Sequence, residues 1–236
     1  MLQKSQELID EIIKDINKLS GKHGSAEIFS DWVTMIALKI QHNCYIYQFE
    51  RNKWHEEERI DAYNSILAKH KRITDKYNEK ELNIFFKMYD NFKSALETEI
   101  WDYLGEIFMG LSNSPDKKKM GQCFTPFNLS VLIARLSVGE EVNGEKPFTI
   151  NEPTCGAGGM IIAMAKTLWD KNINPQKCMV VVAQDLSLLC VYMTYVQLSM
   201  LGINAKVAQG DVLSEPYIEN YPKDRVFETP KCLGMF

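Results

Sequence analysis

The sequence predicts an α/β domain built on a parallel sheet, preceded by an all-α helical domain, and three observations carry that prediction. Apolar residues recur at helical spacing from residue 2 to about 110, with few turn signals among them. A polar, proline-containing stretch, Ser112-Asn113-Ser114-Pro115-Asp116-Lys117-Lys118-Lys119, then interrupts the chain and reads as a solvated linker. Beyond it, short β-branched runs alternate with helical ones, the pattern of parallel strands joined by right-handed crossovers. The expected division is a helical domain at 1–111, a linker at 112–120 and an α/β domain at 121–236.

In the first half, Ile9, Ile12, Ile13, Ile16 and Leu19 form one stripe, which stops at Ser20-Gly21-Lys22-His23-Gly24. A second helix is expected with Ser30 as its cap and Trp32, Met35, Ile36 and Ile40 turned inward. A third spans roughly 54–70 with Ile60, Tyr63, Ile66 and Leu67; two more span roughly 79–92 (Leu82, Phe85, Phe86, Tyr89) and 94–109 (Leu96, Ile100, Leu104, Phe108). Trp32, Trp54 and Trp101 read as core or interface residues. In the second half a helix near 126–136 follows a cap at Thr125, with Pro126 in its first turn. Strands at 148–151, 179–184 and 205–209 then alternate with helices near 159–171 and 187–201.

Composition narrows the function classes. A chain of 236 residues that is 45% apolar and 25% charged can bury a sizeable core. Its longest strongly apolar run, Met179 to Ala183, is far too short to cross a bilayer, so no membrane association and a cytoplasmic location are expected. The six cysteines form no C-x-x-C pair and the four histidines show no ligand spacing, so reduced thiols and no metal are expected. A net charge of −4 argues against autonomous electrostatic binding of nucleic acid; if DNA is the substrate, a partner helps to hold it.

The chemistry gathers in three loops at the carboxyl ends of successive strands, which converge on one crevice in a doubly wound sheet. The first is Glu152-Pro153-Thr154-Cys155-Gly156-Ala157-Gly158-Gly159, whose glycines tolerate positive φ and let the backbone approach a ligand. The second, Gln184-Asp185-Leu186, places an acid where a ribose diol would be held. The third, Gln209-Gly210-Asp211-Val212, places an acid within reach of an adenine amino group. Each element alone has a plain structural reading, a connection or a helix cap, but their serial order points to a nucleotide-like cofactor. The glycine spacing departs from G-x-G-x-x-G, which disfavours a dinucleotide oxidoreductase.

These motifs resemble the adenine-N6 DNA methyltransferases of the kind that form the modification subunit of type I restriction-modification systems. Gly121-Gln122-Cys123-Phe124-Thr125-Pro126 matches that family's GQ-aromatic-aromatic-TP segment, and Glu152 to Gly159 matches its (D/E)PxCGxGG turn. Asp102-Tyr103-Leu104-Gly105-Glu106-Ile107-Phe108 looks like the helix that ends its N-terminal helical domain. The resemblance covers roughly residues 30–215 and is specific from 121 to 212. It implies a shortened Rossmann-like sheet of a class I S-adenosylmethionine-dependent methyltransferase, acting on DNA, with a specificity or second methylase subunit as partner. The cofactor residues it implies are Gln122, Phe124, Thr125, Pro126, Glu152, Pro153, Cys155, Gly156, Ala157, Gly158, Gly159, Asp185, Leu186, Asp211 and Val212. Glu152 to Gly159 would meet the methionine part, Asp185 the ribose, and Gly210-Asp211 the adenine.

One expected feature is missing. The family's (N/D)PP(Y/F) loop, which accepts hydrogen bonds from the target amine and stacks on the flipped base, belongs shortly after Asp211. Residues 213–236 contain Asn220-Tyr221-Pro222 and Glu228-Thr229-Pro230 but no such motif, so no catalytic residue is assigned and Asn220 reads as a loop residue. The alternative is a catalytically silent cofactor-binding module that completes or modulates another methylase subunit. No later strands are expected in this tail, leaving a short sheet with an edge exposed or covered by the tail itself.

Overall fold

The computed structural model describes residues 1–51, 57–112, 124–140, 142–215 and 218–236. Trp54, the linker beyond Ser112 and the segment Gly121-Gln122-Cys123 lie outside the described residues.

The first half forms α1 (Gln3–Leu19), α2 (Ser25–Glu50), α3 (Glu57–Thr74), α4 (Glu79–Thr98) and α5 (Tyr103–Ser112). Two boundaries depart from the sequence pattern. Helix α2 begins at Ser25, with Gly24 in an extended conformation before it, and Ser30 lies inside the helix. The extra turn buries Ile28 and Phe29, and tertiary packing outweighs the capping preference of Ser30. Helix α4 runs unbroken through the expected gap near Phe92-Ser94, because a capping box between Asn78 and Glu81 fixes its start and Phe92 and Ala95 are buried along it. Trp32 and Trp101 are buried as expected, while Ile60, Leu67 and Phe86 are exposed.

The second half forms α6 (Phe127–Ser137), β1 (Phe148–Glu152), α7 (Gly159–Asp170), α8 (Pro175–Cys178), β2 (Met179–Asp185), α9 (Leu188–Met200), β3 (Asn204–Gln209) and β4 (Val226–Glu228). Helix α6 starts one residue later than expected, with Pro126 rather than Thr125 at the N-cap and no side-chain cap bond. Pro126 itself takes the extended backbone of a cap, with ψ of 132°, so Thr125 stands one residue before it.

The sheet has the order β1-β2-β3-β4. β1 and β2 are parallel with Ile150 opposite Val181, and β2 and β3 are parallel with Val181 opposite Ala205. β4 is antiparallel to β3 and was not anticipated from the sequence. It is three residues long, too short for a periodic signal, and tertiary contacts hold it. Phe227 packs against Tyr192 and Tyr195 at ring-centroid distances of 5.3 and 5.8 Å. Thr229 Oγ1 accepts from the Ala205 amide and donates to the Ile203 carbonyl, which extends the pairing beyond β4. The tail therefore covers the β3 edge, and no strand among the described residues pairs the outer edge of β1.

Helix α9 explains how the two halves meet. Its sequence LLCVYMTYVQLSM is apolar nearly all round, and such a helix must be covered on every side. The sheet covers one side, through β2 and β3, and α2 and α5 cover the other. One apolar core consequently runs from α1 to β4.

Candidate functional site

The glycine-rich turn leaves the carboxyl end of β1 and opens α7. The Cys155 amide donates to the Gln184 carbonyl at 2.8 Å, prolonging the β1–β2 pairing, and the Gly158 amide donates to the Cys155 carbonyl at 2.8 Å, closing the turn. Gly156 and Gly158 take φ of +55° and +92°, the left-handed region that side chains disfavour. Space is restricted as well: a Cβ on Gly156 would lie 3.1 Å from the Phe124 ring, and one on Gly158 would lie 3.2 Å from Thr194 Oγ1.

Long-range hydrogen bonds hold this turn. Asp185 Oδ2 accepts from the Gly156 amide and Oδ1 from the Ser187 amide, both at 2.9 Å, so this acid braces the turn and the start of α9 together. From α9, Thr194 Oγ1 donates to the Gly156 carbonyl at 2.9 Å and Gln197 Nε2 donates to the Ala157 carbonyl at 2.8 Å. The second Gln197 amide hydrogen goes to Asp102 Oδ1 at 2.8 Å, and its Oε1 accepts from the Leu104 amide at 3.2 Å. These partners define the orientation of the amide, since the opposite one would set oxygen against two acceptors.

Asp102 stands immediately before α5 and caps it, with Oδ1 also accepting from the Gly105 amide at 2.9 Å. Burial pushes its carboxyl up to about 6; the bonds from Gln197 and Gly105 pull it down, and the nearby Glu106 charge raises it further. Burial also pushes the Cys155 thiol far above its ordinary range, which keeps it protonated and unreactive.

Above the turn lies an open cleft of about 400 Å³, within the size range of small-molecule sites. Phe124, Thr125, Glu152, Cys155, Gly156, Ala157, Gly159 and Asp185 line it, so eight residues singled out in the sequence meet in one place. Asp102, Ser130, Thr154, Met160 and Cys190 complete the lining among the described residues. Gly158 lies beneath as the cap of α7. Pro153, Pro126, Leu186, Asp211 and Val212 are not part of this lining. Leu186 is exposed, and Asp211 is exposed with its Oδ1 accepting from the Leu213 amide in its own turn. Gly210 has a structural explanation: Tyr221 packs directly on it, and the Tyr221 hydroxyl donates to Glu215 O at 2.6 Å and accepts from Gln184 Nε2 at 2.7 Å.

The sequence reading passed over Asp102, Thr194 and Gln197 as site residues. Their signal was present in part, because Thr194 and Gln197 are polar positions in an otherwise apolar helix and both are fully buried. A buried polar side chain requires partners, and here those partners are the backbone of the glycine turn.

The charge of the cleft is distinctive. Three carboxylates, from Asp102, Glu152 and Asp185, line it, with no lysine or arginine among the described lining residues. Helix α7 points its N-terminus at the same space, and the amides of Gly159 and Met160 in its first turn have no acceptor among the described residues. A helix N-terminus favours an anion, so the cleft suits a ligand carrying both a cationic and an anionic group. Two other hollows, of 490 and 520 Å³, lie at β4 with the tail and between the α4 end and α7; neither gathers the sequence-predicted residues. Among the described residues no group of His, Cys, Asp and Glu has the arrangement of a metal site, and no helix is long and apolar enough to cross a membrane.

The chain is similar to the methylase subunit of the type I restriction enzyme MjaVIII of Methanocaldococcus jannaschii. It is 27% identical over 203 residues, covering 75% of this chain and 33% of that relative. Its fold is similar to the crystal structure of the type I restriction-modification methyltransferase subunit from Streptococcus thermophilus, with a TM-score of 0.51 at 14% identity. That match covers 94% of this chain and 61% of the other. The chain thus spans about a third of the length of the curated relative it matches. The model of the N-6 DNA methylases matches residues 99–231, more than half of the chain, and takes in Asp102, the glycine turn and all of α9. On that match, the chain belongs to the N-6 DNA methylase family.

Proposed function

We propose that this chain binds S-adenosylmethionine in the cleft above the glycine turn and serves N6-adenine methylation of DNA in a restriction-modification setting. The observation that carries the reading is the cleft's charge: three carboxylates and a helix N-terminus, without a lysine or arginine among its described lining. A dinucleotide or nucleoside triphosphate brings phosphates that would face those carboxylates, whereas S-adenosylmethionine brings a sulfonium, an ammonium and a single carboxylate. Bound there, the cofactor supplies an electrophilic methyl group. The chain's own residues do the rest: the glycine turn provides close backbone approach, Phe124 a flat apolar wall, and Asp185 a carboxylate whose remaining lone pairs suit ribose hydroxyls. Asp211 and Val212, outside the present lining, would join only through a movement of their loop, and Gln122 belongs to the same proposed set. The helical domain at 1–111 and the cofactor domain at 121–236 would act as one unit, with DNA held jointly with a specificity or second methylase subunit in the cytoplasm.

Isothermal titration of S-adenosylmethionine into wild type and Asp185→Ala tests the binding. Micromolar affinity weakened at least tenfold by the substitution is expected, and no heat with wild type would overturn it. A second reading is a cofactor-binding module that completes or modulates another methylase subunit. It is favoured by the outer edge of β1, unpaired among the described residues, which leaves a strand edge open to another subunit. Incubation with methyl-labelled cofactor and DNA separates the two: label in adenine with the purified chain alone supports the enzyme, and label only after adding a second subunit supports the module.

A further inference from the structure

Asp102 is only 4% exposed, yet it lines the cleft. Its role as cap of α5 accounts for one oxygen. Oδ1 accepts from Gly105 and Gln197, whereas Oδ2 receives no hydrogen bond from any described residue. Asp102 lines the cleft, so this oxygen is left available to a donor carried by a ligand, which a structural cap alone does not call for. Gly159, the first residue of α7, lies beside it: a Cβ there would stand 2.9 Å from Oδ2, so the glycine keeps this approach open. That oxygen therefore sits next to the helix N-terminus whose Gly159 and Met160 amides have no acceptor among the described residues. An anion acceptor and an anion, side by side, form the complement of an α-amino acid, whose ammonium and carboxylate are two bonds apart on one carbon.

We propose that Asp102, contributed by the helical half, is the counter-charge for the ammonium of the cofactor's amino-acid end, with the first-turn amides of α7 receiving the adjoining carboxylate. This rests on the S-adenosylmethionine reading of the cleft. Gln197 is a positioning residue: by holding both Oδ1 and the Ala157 carbonyl, it sets the distance between Asp102 and the turn. The arrangement also makes cofactor recognition depend on the docking of two parts of the chain, since Asp102 precedes α5 while Gly159 opens α7.

The test is calorimetry on the full chain with three ligands: S-adenosylmethionine, S-adenosylhomocysteine and 5′-methylthioadenosine, which lacks the amino-acid end. Asp102→Asn retains the cap and should weaken the first two by about 10–100-fold, the range of a lost charged hydrogen bond, while leaving the third within about twofold. Equal weakening of all three, or of none, would overturn the proposal. If wild type binds none of them, the cofactor reading fails too; if wild type binds all and the variant matches it, only the role of Asp102 fails. A measurement on wild type alone guards against a variant that does not fold. S-adenosylhomocysteine should bind at least about tenfold better than its desamino analogue, which keeps the carboxylate, and equal affinity would overturn the proposal.

Discussion

Gln197 donates to Asp102 across 95 residues of sequence, at 2.8 Å, and this bond ties the start of α5 to the last turn of α9. Both partners are buried, and the same amide nitrogen also holds the glycine turn through the Ala157 carbonyl. Packing of the helical half, the sheet-covering helix and the glycine turn meets at this one side chain.

Replacing Gln197 by Met keeps the volume and removes every polar contact. Ala157 O and the Leu104 amide then lose their partner and Asp102 loses one of two donors. A loss of about 2–4 kcal/mol is expected in urea unfolding at neutral pH. A loss below about 0.5 kcal/mol would show that the network contributes little.

Asp102→Asn should stabilise the ligand-free protein at neutral pH. The folded carboxyl lies near 6 rather than 3.8, so the fold favours the protonated form. The stability this contributes is full below the ordinary value and is lost as pH rises through about 6. That lift corresponds to about 3 kcal/mol as an upper bound. Asparagine caps a helix as well as aspartate, so the variant should melt higher than wild type at pH 7.5, and the gap should close toward pH 4. A gap independent of pH would refute the assignment.

Ligand affinity should move the opposite way with pH. A cation is held by the ionised carboxylate, so wild-type affinity for S-adenosylhomocysteine should be flat above pH 7 and fall below about 6, by at most about tenfold per pH unit. The same titration on Asp102→Asn should lose this inflection. Persistence of the inflection in the variant would show that Asp102 is not its source.

The two left-handed glycines should respond differently. Gly156→Ala and Gly158→Ala each place a side chain at positive φ, costing about 1–2 kcal/mol of stability. Gly156→Ala additionally presses on Phe124 in the cleft wall, and Gly158→Ala presses on Thr194 beneath it. Cofactor affinity should therefore drop more in the Gly156 variant, as read by calorimetry. Equal affinities would mean that Phe124 does not shape the bound state.

Phe227→Ala removes the ring that seats β4 against Tyr192 and Tyr195. A loss of about 3–5 kcal/mol is expected, with faster hydrogen exchange along β3. Unchanged exchange at β3 would show that β4 is not what protects that edge.

The sequence by itself determined the order of the first three strands, the long helices between them and the place of the glycine turn. Helical and strand periods, and glycines at positions needing positive φ, are properties of neighbouring residues, so they are legible without a fold; β1, β2 and β3 each emerged within a residue or so of their observed limits. Helix ends were less legible, because burial of Ile28 and Phe29 outweighed the capping preference of Ser30, and burial of Phe92 and Ala95 carried α4 past its expected end. Only the tertiary structure decided the second shell of contacts around the turn. Asp185 proved to brace Gly156, Gly210 proved to make room for Tyr221, and Asp102 came into the cleft through Gln197. These relationships join residues far apart in the chain, and their signal lies in which buried polar groups must find partners once the helices and sheet have packed.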